Sequence, residues 1–156
     1  MIDPFVRRAE HTDAEALSGL ETAARAGLVE ARGGARWLDA HHRIAADWPT
    51  AIGTRTVFVG TIPADSGADV VVAYLVADCI VDPMKILRID QVFVVDEARE
   101  LGFGDALLAA AMQWGREHGA ELVEAETLPG DRNLKNLYER AGVTARLITV
   151  SKRLAP

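Results

Sequence analysis

The stretch "RELGFGD", Arg99 to Asp105, sets Gly102 and Gly104 at the mouth of an apolar-striped helix. Glycine weakens a helix interior by about 1 kcal/mol against alanine, so two at a helix start point to a close approach to the backbone. The first helical turn has unpaired N–H groups at the positive end of the dipole, and the group that suits it is an anion. Asp90 interrupts an otherwise apolar segment, "ILRIDQVFVV". A carboxylate there is either a proton acceptor or a solvated residue on the open face of a sheet. Glu124 and Glu126 alternate with apolar neighbours and share a face if their segment is a strand. They would hold a cation, replace Asp90 as base, or simply form a polar face. His41 and His42 are adjacent on a helix, so at most one faces any given site, and both are read as surface or rim residues. Trp37 and Trp48 are read as core residues, with a pocket roof as the alternative; Trp114 is read as core and Cys79 as inert. Tyr138, from its periodicity alone, is a core aromatic. No His, Cys and carboxylate grouping suggests a metal, and no Gly-x-Ser-x-Gly elbow or Walker lysine occurs.

The elements that must position these residues follow from periodicity. "FVRRA" reads as a first strand. Thr12 and Glu15 have capping-box spacing ahead of a helix with the stripe Leu17, Leu20, Ala24 and Leu28. "GARWLDAHHRIAADW" reads as a second helix stopped before Pro49. "RTVFVGTI" and "ADVVVAYLVADCIV" are strands joined by the turn-rich "PADSG", and "DPMK" turns the chain into "ILRIDQVFVV". The glycine-mouthed helix follows, with Phe103, Leu107, Ala110, Ala111, Trp114 and His118 on one face and Gly119 at its end. "AELVEAETL" is a fifth strand. "DRNLKNLYERAG" is a short helix with Asp131 as N-cap, Leu134, Leu137, Tyr138 and Ala141 on one face, and Gly142 at its end. "ARLITVSKRL" reads as a closing strand. Short turns make the middle strands antiparallel, and the helical crossover makes the fourth and fifth parallel. The fold class expected is α/β (α+β): a mixed, mostly antiparallel sheet with one parallel pair, flanked by about four helices.

The 156 residues suit one domain, and no linker or repeat divides residues 1–156. No apolar run approaches a membrane span, the N-terminal segment lacks the pattern of a secretory signal, and one cysteine excludes a disulfide framework. The expected compartment is the cytoplasm, with no membrane partner. A net charge of −6 argues against a nucleic-acid partner and is compatible with a cationic small substrate.

With the strand before it and the helix after it, "RELGFG" resembles the Arg/Gln-x-x-Gly-x-Gly/Ala signature of the Gcn5-related N-acetyltransferases, the GNAT superfamily. "NLYERAG" looks like that family's Leu-Tyr-Glu helix, and "VRRAEHTDAEAL" like its first strand and helix. The resemblance covers essentially the whole chain and is most specific from Ile89 to Gly142. It implies acetyl-coenzyme A as acyl donor, with no metal, and an amine of a small molecule or peptide as acceptor. It makes Arg99, Glu100, Leu101, Gly102, Phe103, Gly104 and Asp105 donor-binding residues, with the donor's pyrophosphate on the backbone N–H groups from about Leu101 to Asp105. It places the pantetheine arm along Val92, Phe93 and Val94, where the fourth and fifth strands splay apart. Asp131 and Asn133 are alternatives for a further donor contact. The resemblance makes Tyr138 the acid that protonates the departing thiolate and Asp90 the leading base. A homodimer is common in this family and stays open here, as does a non-catalytic acyl-coenzyme A-binding module or a binder of another phosphorylated ligand.

Overall fold

The longest apolar alternation in the chain forms the central strand of a five-stranded sheet in the computed structural model, which describes residues 3–155. The strands are β1 (Phe5–Arg8), β2 (Thr56–Pro63), β3 (Asp69–Val81), β4 (Lys85–Val94) and β5 (Leu122–Ala125), paired in chain order. The first three pairings are antiparallel and β4–β5 is parallel. The helices are α1 (Ala14–Ala26), α2 (Gly34–Ala40), α3 (Trp48–Thr54), α4 (Phe103–Glu117) and α5 (Arg132–Arg140). This is the mixed, mostly antiparallel sheet expected from the sequence.

Both sheet faces are buried, because successive β3 side chains point to opposite sides. Leu75 and Ala77 pack with Phe103, Leu107, Ala111 and Leu137 of α4 and α5. Tyr74 and Val76 pack with Leu17 of α1 and with Trp48 and Ala51 of α3. The glycine-mouthed helix thus has its expected apolar face, although Trp114 lies only at the edge of the core and His118 is exposed.

Several local expectations are corrected. The capping box is formed by Glu10 and Asp13 around a 3-10 turn, not by Thr12 and Glu15. Asp13 is committed more strongly than a cap requires, since its carboxylate accepts from both Arg7 Nη atoms at 2.7 and 2.9 Å. The second helix is two: α2 ends at Ala40, and a 3-10 turn at Ala45–Asp47 leads into α3. Pro49 stands in the first turn of α3 and so begins a helix rather than ending one, a position where its missing N–H costs nothing. β5 is shorter than "AELVEAETL". "ARLITVSKRL" is not a strand in the single chain; it is exposed and irregular.

Candidate active site

The site begins with a fault in the β3–β4 ladder. Val76 pairs with Gln91 and Ala77 with Ile89, so Asp90 is an extra residue with no partner on β3. Such a bulge bends its strand and re-aims the side chain. It falls where β4 loses its other neighbour, because β5 pairs only with Ile86 through Ile89. Beyond that point the two strands separate and β4 has an open edge. The N–H of Val95 bonds the carbonyl of Val72 on β3 at 2.9 Å. By strand alternation, the N–H and C=O groups of Val92 and Val94 therefore point to the open edge, and those of Phe93 to β3.

A cleft fills the gap. Its floor is Asp90, Gln91, Val92 and Phe93; Glu126, Thr127, Leu128, Asp131, Leu134 and Tyr138 form one wall, and α1 and Trp37 the other. Tyr138 is 5% exposed and lines this cleft. Its hydroxyl makes no hydrogen bond among the described residues. Burial, then the negative charges of Asp131 and Asp90, push the phenol above its ordinary range, so it keeps its proton. Asp90 is held at 3.0 Å by Arg55 Nη2, which also meets Asp78 at 2.5 Å. Burial alone would lower the Arg55 pKa; its two carboxylate partners outweigh this and raise it.

Next to the open edge, a 3-10 turn (Asp96–Leu101) leads through Gly102 into α4. Gly102 has φ +84, the left-handed region that side chains disfavour. Gly104 is glycine for another reason: a Cβ there would lie 3.0 Å from Leu137 Cδ2, so α4 and α5 pack through it. Ala106 is the first residue of this turn to bond back, to the Gly102 carbonyl at 3.0 Å. The N–H groups of Phe103, Gly104 and Asp105 have no carbonyl four residues back within α4. The Asp105 carboxylate is drawn off by Arg140, at 3.2 and 3.3 Å. Arg99 turns back to Asp96 at 2.8 Å; Glu100 is exposed and Leu101 half-buried.

The remaining candidates divide. Asp131 caps α5 by accepting from Leu134 N–H at 3.2 Å and lines the cleft, whereas Asn133 is exposed. Glu124 and Glu126 do not act together: Glu124 meets Arg88 at 3.0 Å, and Glu126 lies beyond β5, in the cleft wall. His41 stacks on Trp37 and reaches Glu126 at 3.4 Å, while His42 is exposed. Trp37 lines the cleft and Trp48 is core.

Sequence reasoning missed a buried polar relay under the floor. Tyr74 donates to Gln91 at 2.7 Å, and Gln91 donates to Glu21 at 3.2 Å. Glu21, fully buried, accepts the N–H groups of Ile44 and Ala45 at 2.9 Å each and so ties the α2–α3 connection to the cleft floor. Its signal was a carboxylate inside the apolar stripe of α1. Arg25 and Arg55 were also missed; Arg25 donates to the carbonyls of His41 and Leu38. Among the described residues no group of three or more His, Cys, Asp or Glu could hold a metal, and no helix is long and apolar enough to cross a membrane.

A profile of the acetyltransferase (GNAT) family matches residues 24–143. Among solved structures, the chain is similar to a tetramutant of the BH1408 protein of Bacillus halodurans, at 18% identity and TM-score 0.76, covering 96% of this chain and 99% of that one. It is similar to the aminoglycoside N-acetyltransferase AAC(6')-Iy in complex with a bisubstrate analog, at 22% identity and TM-score 0.67, covering 97% and 99%. It is also similar to the ribosomal-protein-alanine N-acetyltransferase of Brucella melitensis biovar Abortus, at 14% identity and TM-score 0.65, covering 99% of each chain. At these identities the likeness is one of fold. No curated protein matches the sequence.

Proposed function

Because this chain belongs to the acetyltransferase (GNAT) family, we propose that it is an N-acetyltransferase carrying an acetyl group from acetyl-coenzyme A to a primary amine, by direct transfer in a ternary complex. The observation that carries this reading is the opened β4 edge running straight into the unpaired first turn of α4, with the Tyr138 hydroxyl facing the gap. Acetyl-coenzyme A supplies an activated thioester and a pyrophosphate. The open N–H and C=O groups of Val92 and the N–H of Val94, whose carbonyl accepts from Arg99 Nε at 3.4 Å, fit the amide-bearing arm of such a donor, as an added strand would. The N–H groups of Phe103, Gly104 and Asp105 fit its pyrophosphate, at the favourable end of the helix dipole.

An acyl transfer to an amine needs a neutral nucleophile, a stabilised oxyanion and a protonated leaving thiolate. An alkylammonium with pKa near 10.4 is neutral in roughly four molecules in ten thousand at pH 7. Asp90, standing out of the ladder and fixed by Arg55, accepts that proton directly or through water. The Val94 N–H polarises the thioester carbonyl. Tyr138, kept protonated by burial, gives its proton to the thiolate. Apolar and acidic lining on the acceptor side suits a cationic amine that buries its carbon skeleton.

The test is a thermal-shift titration with acetyl-coenzyme A, followed by thiol release across a panel of amines. A ligand bound only by the native state at 100 times its Kd adds about 2.7 kcal/mol to stability. No shift at millimolar donor refutes the assignment of the donor site. A shift without turnover on any amine refutes the transfer reading in favour of an acyl-coenzyme A-binding module.

A further inference from the structure

A second cavity, of about 380 Å³, opens where the end of α3 meets β1, β2, β3 and the last turns of α4, and it shares no lining residue with the cleft. Small-molecule sites measure about 300–1,000 Å³. Arg8 is its distinctive group. Arg7, Arg43, Arg55, Arg88, Arg99 and Arg140 each meet a carboxylate. Arg8 meets none among the described residues, and its one side-chain hydrogen bond runs from Nη2 to the Arg55 carbonyl at 3.3 Å. Its guanidinium lies over the rings of Phe58 and Trp114, at 5.5 and 5.9 Å. Aromatic rings hold a cation in place but supply no anion, so this charge is positioned and uncompensated. Thr56 is on the same sheet face: it stands two residues from Phe58 on β2, and Phe58 pairs with Arg8. Thr56 lines the cavity and is 4% exposed, yet its hydroxyl has no hydrogen-bond partner among the described residues. A buried hydroxyl costs free energy until something bonds it, and a ligand in the cavity would do so. The one carboxylate in the wall, Asp78, is already taken up by Arg55, at 3.0 and 3.1 Å from Nε and 2.5 Å from Nη2. Two guanidiniums against one carboxylate leave the lining net positive. Half-buried Trp114 and Cys79 complete the wall.

We propose that this cavity is a second binding site, for a small carboxylate carried on a compact apolar body. The carboxylate accepts from the Arg8 guanidinium, whose fork of N–H groups matches its two oxygens, and from the Thr56 hydroxyl. The body lies against Trp114 and Cys79. An inorganic anion such as phosphate fits less well: it has nothing to bury against those two residues, and its second negative charge meets Asp78 in the wall. Arg55 also holds Asp90 at 3.0 Å, so the cavity adjoins the cleft through one side chain. The proposal rests on the cavity alone and does not depend on the acetyl-transfer reading.

Calorimetric titration of the full chain with benzoate, at about 0.15 M salt to screen diffuse attraction, tests the site. Benzoate binds the wild type with a Kd of about 1 mM or tighter. Arg8→Gln weakens it by about tenfold or more, and Arg8→Lys, which keeps the charge but not the fork, by less. Thr56→Val keeps the shape and removes only the unpartnered hydroxyl, so it weakens benzoate about fivefold while the circular dichroism and urea midpoint stay unchanged. Phosphate binds at least about tenfold more weakly than benzoate. No heat of binding at about 10 mM benzoate overturns the proposal. So does binding that Arg8→Gln and Thr56→Val both leave unchanged, which puts the ligand in the cleft or at the mouth of α4. Phosphate binding as tightly as benzoate overturns it too, because the apolar wall then plays no part.

Discussion

Replacing Tyr138 with phenylalanine separates chemistry from packing, because the ring and the hydroxyl have different surroundings. The ring is buried among the residues between the sheet and α4 and α5. The hydroxyl has no hydrogen-bond partner among the described residues and faces the cleft. Deleting it therefore breaks no internal hydrogen bond and opens no core cavity. The expected change in stability is under about 0.5 kcal/mol, within about 2 °C of Tm for a chain of this size. Binding of acetyl-coenzyme A stays within a few-fold. Turnover behaves differently if the phenol delivers the proton that lets the thiolate leave. kcat then falls by about tenfold or more, at least about 1.4 kcal/mol of transition-state stabilisation. The loss shrinks with a donor whose thiol has a lower pKa. Burial and the negative charges of Asp131 and Asp90 hold the phenol above its usual range. The wild-type rate therefore shows no fall from its ionisation below pH of about 10, the ordinary value for tyrosine. Thiol release under saturating donor and amine, calorimetric titration with coenzyme A, and thermal melts measure these quantities. Unchanged kcat in Tyr138→Phe refutes the acid role. A loss of stability above about 2 kcal/mol shows instead that the hydroxyl has a structural partner.

Asp90→Asn lowers kcat/KM most near neutral pH and recovers in part at high pH, where the amine is already neutral; an unchanged pH–rate profile moves the base to Glu126 or to water. Glu21→Ala strands the Ile44 and Ala45 N–H groups and the Gln91 amide, and urea denaturation should show a loss of about 3–5 kcal/mol, with Glu21→Gln keeping part of it. Asp13 desolvation raises its pKa, but the Arg7 and Glu10 hydrogen bonds outweigh it and leave the folded-state value lowered. Its stabilisation is thus full above the unfolded value of about 3.9 and is lost as pH falls through the lower folded value. Urea midpoints of wild type and Asp13→Asn should differ at pH 7 and converge in acid; a difference that persists at the lowest pH refutes the ion pair as its cause.

The antiparallel pairing of the middle strands and the parallel pairing of the fourth and fifth were legible because they rest on local patterns. Alternation at Asp69–Val81, the "PADSG" turn and the helical crossover leave little freedom in topology. The α2–α3 region was not legible. Its second helix is broken by the connection that Glu21 holds from seventy residues before Gln91 closes the relay, and no window around His41 contains that information. Pro49 satisfied two rules at once, ending a helix before it or opening one after it, and the burial of Trp48 and Ala51 against β2 and β3 decided for the second. The tail has the propensity of a strand, and propensity is silent about where the partner strand lies.

The two halves of the cleft differ for the same reason. The proposed donor half is made of backbone: an open strand edge and a helix start. Backbone features leave their mark in glycines, strand ends and caps, so the spacing in "RELGFGD" marked the helix mouth that the proposed function uses. Even there the sequence gives the position and not the cause. Gly104 reads as a close approach to the helix mouth, and the approach present in the fold is that of Leu137, which seats α5 and with it Tyr138. The same glycine that leaves the first turn of α4 uncluttered thereby sets the depth of the phenol in the cleft. The acceptor half is made of side chains from α1, α2, β4 and the segment after β5. Each has a common alternative role, and on β4 it is the bulge that turns Asp90 out of the ladder. A bulge is a single extra residue in a ladder and has no periodicity of its own. The residue type at its crest, a carboxylate in an apolar strand, was therefore the one trace of it that the sequence could carry.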